Sequence, residues 1–173
     1  MAFFQIITMV QIWKLCCQGK LNKVRRALAR GEDVNSKSGS QKKTGLMCAL
    51  TRTYISIDIV KLLLEQPTVD LNCTDINGWT ALHYAAAYNN VEGVRKLLAD
   101  PRVTTVNFES DSDRTPVMQA IFGECANALR ELVAHPRVDL DALDGEGRSL
   151  EEFARWVQQF QILQTLNVLL LQE

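Results

Sequence analysis

Two kinds of apolar run alternate along this chain, and each recurs in step with the other. Val24-Arg25-Arg26-Ala27-Leu28, Ile59-Val60-Lys61-Leu62-Leu63, Val94-Arg95-Lys96-Leu97-Leu98 and Leu129-Arg130-Glu131-Leu132-Val133 each supply an apolar stripe at helical spacing. A turn follows every stripe: Gly31 to Asn35, Pro67 to Asn72, Pro101 to Asn107 and Pro136 to Asp141. Glycine or proline stops the helix there, and a short extended piece comes next. The other run is Thr80-Ala81-Leu82-His83-Tyr84-Ala85-Ala86, with weaker copies beginning at Thr44 and Thr115 and a degenerate one at Arg148-Ser149-Leu150. Thr44, Thr80, Thr115 and Ser149 are spaced by 36, 35 and 34 residues. A fixed period of this length is the mark of a repeat architecture.

Each period therefore predicts two short helices and a turn, a unit too small to bury its apolar face without neighbours on both sides. Ala49, Ala85, Ala86 and Ala120 are small where two helices must approach closely. Thr80 and Thr115 stand at the start of the first helix, where a hydroxyl can satisfy free backbone N–H groups. Gly78 suits a turn that needs positive φ.

Asp75-Ile76-Asn77-Gly78-Trp79-Thr80-Ala81-Leu82-His83-Tyr84-Ala85-Ala86 resembles the ankyrin repeat, with its loop, its T-P-L-H-x-A-A helix start and its return resembling G-A-D-V-N. The resemblance implies an all-α solenoid of helix–turn–helix units with hairpin-like loops. It implies a lead-in at residues 1–10 and approximate repeats at 11–35, 36–72, 73–107, 108–141 and 142–173. His83 takes the place of the family's motif histidine, which typically bonds to neighbouring loop backbone. The first repeat lacks the T-P-L-H start, with Ile12 to Cys17 in its first-helix frame, and looks like a cap. The last carries Glu151 and Glu152 where the family has leucine and histidine, and looks like the other cap.

Composition narrows the function. Lysine plus arginine number 19 and aspartate plus glutamate 20, a net charge of −1 that lacks the basic excess expected of a nucleic-acid or anionic-membrane binder. Five cysteines, odd in number and without a C-x-x-C pair, point to packing in a reducing compartment, cytoplasmic or alternatively nuclear. The N-terminal segment is apolar through Phe3, Phe4, Ile6, Ile7, Met9 and Val10, but has no basic residue in front. Lys14 interrupts it well short of a membrane span, so it reads as a lead-in to the first helix. Only His83 and His135 are histidines, and no metal-ligand cluster, phosphate-binding glycine loop or nucleophile motif occurs. Neither a metal, a cofactor nor catalysis is expected. Glu109-Ser110-Asp111-Ser112-Asp113 reads as a solvated acidic loop, with Ser110 and Ser112 as candidates for phosphorylation.

The resemblance implies a protein–protein interaction module, a scaffold or inhibitor that binds through loop tips and the concave face of the first helices. An adaptor that brings a separate enzyme, such as a ubiquitin ligase or phosphatase, to a substrate is the alternative. Carried over onto this sequence, the family geometry turns Trp79, Tyr88, Phe122 and Trp156 outward. Lys43, Arg52 and Arg114 then make a basic rim beside them, which suits a partner with an apolar anchor flanked by acidic groups. The C-terminal segment, from Phe153 to Leu171, holds more apolar residues than one helix face needs, so self-association through it is an expectation as well.

Overall fold

The structure, a computed structural model, describes residues 11–51 and 57–170. The apolar lead-in, Arg52 and Leu171 lie outside the described residues. Ten helices occur among those described: α1 (Ile12–Cys17), α2 (Leu21–Ala29), α3 (Gly45–Leu50), α4 (Ile57–Leu64), α5 (Ala81–Ala87), α6 (Val91–Ala99), α7 (Pro116–Phe122), α8 (Ala126–Val133), α9 (Leu150–Trp156) and α10 (Phe160–Leu170). They pair as five successive hairpins. The odd-numbered helices pack in one row and the even-numbered in a second, each hairpin touching its neighbours.

The core runs the length of the stack between the two rows. Ala49, Ala85, Ala86 and Ala120 are wholly buried, as the close approach of first helices requires, and Leu63, Leu97 and Leu132 fill the even-numbered row. The excess apolar character of the last helix is mostly used inside the fold. Ile162 and Leu166 are buried, Leu163, Leu169 and Leu170 lean on the core, and Val168 is exposed.

First helices begin with one device in three chemical versions. Thr44, Thr80 and Ser149 each cap their helix by accepting from the N–H three residues on, while the side chain at that third position accepts from the cap's own N–H. That acceptor is a sulfur at Met47, an imidazole at His83 and a carboxylate at Glu152. Glu152 thus does the work of the motif histidine, and Leu150 and Phe153 are buried beside it. Thr115 departs from the expectation. Its hydroxyl makes no capping bond and is buried without a partner among the described residues. Pro116 at the first helical position presets the turn instead, and Met118 at the third position is directed into the core.

Neighbouring repeats are fastened by side chains that reach across to backbone. Asn35, Asn72 and Asn107 each donate to a carbonyl in the next turn, at Thr68, Arg102 and Arg137, at 2.8–2.9 Å. Each also accepts from an N–H two residues beyond that carbonyl, at Asp70, Thr104 and Asp139. Arg102 and Arg137 run the other way. Arg102 donates to the carbonyls of Leu64 and Gln66, and Arg137 to those of Leu98, Asp100 and Val103. A guanidinium at a helix C-terminus satisfies free carbonyls and complements the dipole.

Two backbone positions recur in the left-handed region. One is the hairpin tip, at Lys42, Gly78, Asp113 and Gly147. The other is the turn between paired helices, at Gly19, Asn89, Glu124 and Gln158. Only some are glycine. A Cβ on Gly78 would also lie 2.9 Å from the backbone nitrogen of Asp111 in the next tip. Gly78→Ala is expected to lower the free energy of unfolding by at least about 1–2 kcal/mol. Glu124→Gly should raise it, by a net of about 0.5–1 kcal/mol. Urea unfolding of the two variants beside the parent checks both signs.

Candidate functional site

The hairpin loops are built as a continuous edge. In repeat three the Asp75 N–H donates to the Trp79 carbonyl, and the Asp75 carboxylate accepts from the N–H groups of Asn77 and Trp79. The Tyr84 hydroxyl donates to the same carboxylate at 2.6 Å, which ties the loop to its helix. Burial, followed by this bond to a carboxylate, raises the Tyr84 phenol far above its ordinary range. Asp144 holds the fifth loop in the same way, through the N–H groups of Glu146 and Arg148 and the Arg148 guanidinium at 2.7 Å. Adjacent tips are joined as well. The Ile76 N–H donates to the Gln41 carbonyl, and the Asp111 N–H to that of Asn77.

His83 sits beneath this edge, fully buried. Its Nδ1 accepts from the Thr80 N–H at 3.1 Å, so Nε2 carries the proton and donates to the Arg114 carbonyl of the next loop at 2.9 Å. The imidazole thereby pins loop four to helix α5. Burial pushes its pKa down to about 4, outweighing the bond to Arg114 and the nearby Asp75 charge, which favour the protonated form.

Above the edge lie the rings and cations. Tyr88, Phe122 and Trp156, at the ends of α5, α7 and α9, are 47%, 44% and 52% exposed, as expected of an outward stripe. Trp79 corrects that expectation. It is half-buried, stacked on His83 at 6.1 Å and edge-on to Tyr84 at 5.1 Å, so it is part of the loop's footing rather than a free anchor. Of the basic residues expected beside them, Lys43 and Arg114 lie over aromatic faces. Lys43 Nζ is 5.0 Å from the Tyr84 ring, and Arg114 is 4.1 Å from that of Phe122 and 5.6 Å from that of Phe153. Arg148 lies 4.1 Å over Trp156. Arg148 was not among the expected binding residues, and the signal that marks it in the sequence is its register with Arg114, each standing one residue before a first-helix cap.

Arg114, Arg148 and Trp156, with Ser112, Asp113 and Glu146, line a cleft of about 430 Å³ between the last two loops and α9. Arg148 is engaged by Asp144, but the Arg114 guanidinium has no hydrogen bond or ion pair among the described residues. Burial between its two rings disfavours its charge, Arg148 adds to that, and Asp144 at longer range opposes it. Ser110, in contrast, is buried with its N–H bonded to the Arg114 carbonyl, which leaves Ser112 as the exposed serine of the acidic loop. Burial pushes the Cys16 thiol up to about 12 and raises that of Cys48, the behaviour of packing groups rather than nucleophiles. Among the described residues no group of three His, Cys, Asp or Glu side chains is placed to hold a metal ion.

Stacked helix hairpins with a hydrogen-bonded row of loop tips define a helical repeat solenoid. The family model for ankyrin repeats, in three copies, matches residues 12–107, more than half of the sequence. The chain belongs to the ankyrin-repeat family, and beyond the matched stretch the same helix pair occurs twice more, as α7–α8 and α9–α10. Ankyrin repeats generally mediate protein–protein contact and are typically without catalytic activity.

Two measurements follow from this geometry. A native pKa of about 4 against 6.5 in the unfolded chain means that falling pH protonates the unfolded state first. Stability from His83 is complete above pH 6.5 and drains away between 6.5 and 4, by up to about 3 kcal/mol. His83→Gln should flatten the pH dependence of urea unfolding within that window. Trp79→Ala should cost about 2–3 kcal/mol of stability, whereas Tyr88→Ala, with an exposed ring, should leave the unfolding midpoint nearly unchanged.

Proposed function

We propose that the chain is a non-catalytic interaction module, acting as a scaffold or inhibitor, that holds one partner protein on the face made by its loop tips and first helices. The observation that carries this reading is the row of exposed rings at Tyr88, Phe122 and Trp156, with an arginine over each of the last two. Phe122 and Trp156 hold the same position in successive repeats and Tyr88 the neighbouring one, each keeping about half of its surface exposed beyond its contacts with the stack, and aromatic and arginine side chains dominate the energetics of interfaces.

Arg114 gives the partner its polarity. A half-buried guanidinium held between rings, with its donors unused, is ready to donate to a carboxylate or backbone carbonyl. The partner supported best presents an apolar or aromatic side chain to the row and an acidic group beside it. Lys43 extends the same chemistry to the loop of repeat two, over Tyr84.

Affinity capture from cell lysate with mass-spectrometric readout tests this, comparing the parent with a Tyr88→Ala, Phe122→Ala, Trp156→Ala variant of unchanged helicity. Loss of about 2 kcal/mol per anchor, which is roughly thirtyfold each, is expected for a partner seated on the row. A partner retained equally by both proteins would overturn the placement and move the site to another face.

A further inference from the structure

Arg114 and Arg148 hold the same register in loops four and five, yet only one of them has an anion to pair with. The Arg148 Nε lies 2.7 Å from the Asp144 carboxylate. In loop four the place of Asp144 belongs to Ser110, as the backbone shows. The Asp144 N–H donates to the Arg148 carbonyl, and the Ser110 N–H to that of Arg114. A hydroxyl therefore stands where the neighbouring loop has a carboxylate. Arg114 is left between the Phe122 and Phe153 rings without an ion pair among the described residues.

The same loop carries a group that can be made into the missing anion. Ser112 is exposed at the tip, and it lines the cleft of about 430 Å³ together with Arg114. Ser110 is buried and its N–H closes the hairpin, so a modification there would have to open the loop. Glu109 and Asp111 precede Ser112 by three residues and one, Asp113 follows it, and all three are exposed. Carboxylates on both sides of an exposed serine are complementary to the basic substrate groove of an acidophilic protein kinase. The corresponding tip residues are Gln41, Asn77 and Glu146, so Ser112 alone among the four offers a hydroxyl.

We propose that Ser112 is a phosphorylation site whose phosphate is taken up by Arg114, which closes the partner-binding row from within the molecule. The step consumes ATP on a protein kinase. Ser112 Oγ bonds to the γ-phosphorus, the bond from that phosphorus to the β,γ-bridging oxygen breaks, and ADP leaves. The hydroxyl proton passes to the kinase's base. The product carries nearly two negative charges and three acceptor oxygens. A guanidinium with unused donors meets such a group bidentately. Asp113 and Glu146 also line the cleft and oppose the phosphate, whereas the charge of Asp144 is already engaged by Arg148. A direct charge-assisted bond outweighs repulsion from exposed carboxylates, which water and salt screen. Once Arg114 is occupied it no longer serves a partner's acidic group, and the added charge repels that group as well. This consequence rests on the partner reading above, but the bond between phosphate and Arg114 does not.

The test begins with the full chain treated with ATP and purified casein kinase 2, an acidophilic enzyme, and mapped by mass spectrometry. One phosphate at Ser112, absent from Ser112→Ala, is the expected result. Incorporation at Ser110 instead, or none at all, would overturn the site. Phosphorus NMR of the chain carrying phosphoserine at 112, installed by an expanded genetic code, reads the contact. That phosphate should titrate about one pH unit lower than in Arg114→Gln, because a paired cation favours the dianion. Lys43→Gln, which removes a cation from loop two, should leave the titration in place. Equal titration in the parent and Arg114→Gln would overturn the pairing, and unchanged helicity of the variants separates this from misfolding. Proteins captured by the parent and lost by the Tyr88→Ala, Phe122→Ala, Trp156→Ala variant should bind the phosphorylated chain at least about tenfold more weakly. Equal capture would overturn the closing of the row. Should the row capture nothing, the partner reading fails and the closing with it, while the NMR titration still decides the phosphate contact.

Discussion

No hairpin in this chain can cover its own apolar side, and everything else in the structure answers to that constraint. The leucines of the even-numbered row and the alanines of the odd-numbered row face both within and between units. Stability in such a stack is a sum of nearest-neighbour terms. The polar fastenings follow the same logic. Asn35, Asn72 and Asn107 reach forward to the next turn, Arg102 and Arg137 reach back to the previous helix end, and His83 reaches from helix α5 to the following loop. Each joins a unit only to its neighbour.

Much of this was legible in the sequence because it is periodic. The apolar stripes, the prolines after them and the Thr80-to-Ala86 motif fix the helices and their order, and Gly78 and His83 take the conformations their residue types suggest. What could not be read depended on contacts between repeats. Trp79 was expected to face outward, yet its ring is drawn down by His83 and Tyr84, partners whose orientation the motif alone does not specify. Thr115 sits in a capping position, but Pro116 makes its hydroxyl unnecessary. Glu152 looked like a defect in the motif, and it replaces the histidine because any side-chain acceptor that reaches the Ser149 N–H will serve.

The candidate binding face was legible in outline only. Tyr88, Phe122 and Trp156 follow from register, whereas the placing of Lys43, Arg114 and Arg148 over rings needs three-dimensional distances. Net charge hides how charge is distributed for a related reason. It sums over the whole molecule, while a surface feels only the charges within about a Debye length. The cations of the first hairpin and the carboxylates of the last two loops belong to repeats at opposite ends of the stack, with Glu32 and Asp33 alone standing in the turn directly after α2.

Beside one side-chain ion pair, Arg95 with Glu131, the bonds by which His83, Asn35, Asn72, Asn107, Arg102 and Arg137 fasten one repeat to the next end on main chain. His83 takes the carbonyl of Arg114, not its guanidinium, and the asparagines take the carbonyls of Thr68, Arg102 and Arg137. A carbonyl is present whatever side chain it carries. Residue 114 thus serves the scaffold through its backbone and the surface through its side chain, and the two duties can change separately. Selection, or an engineer, can rewrite the ring-and-cation row at the tips one residue at a time while the solenoid beneath keeps its fastenings.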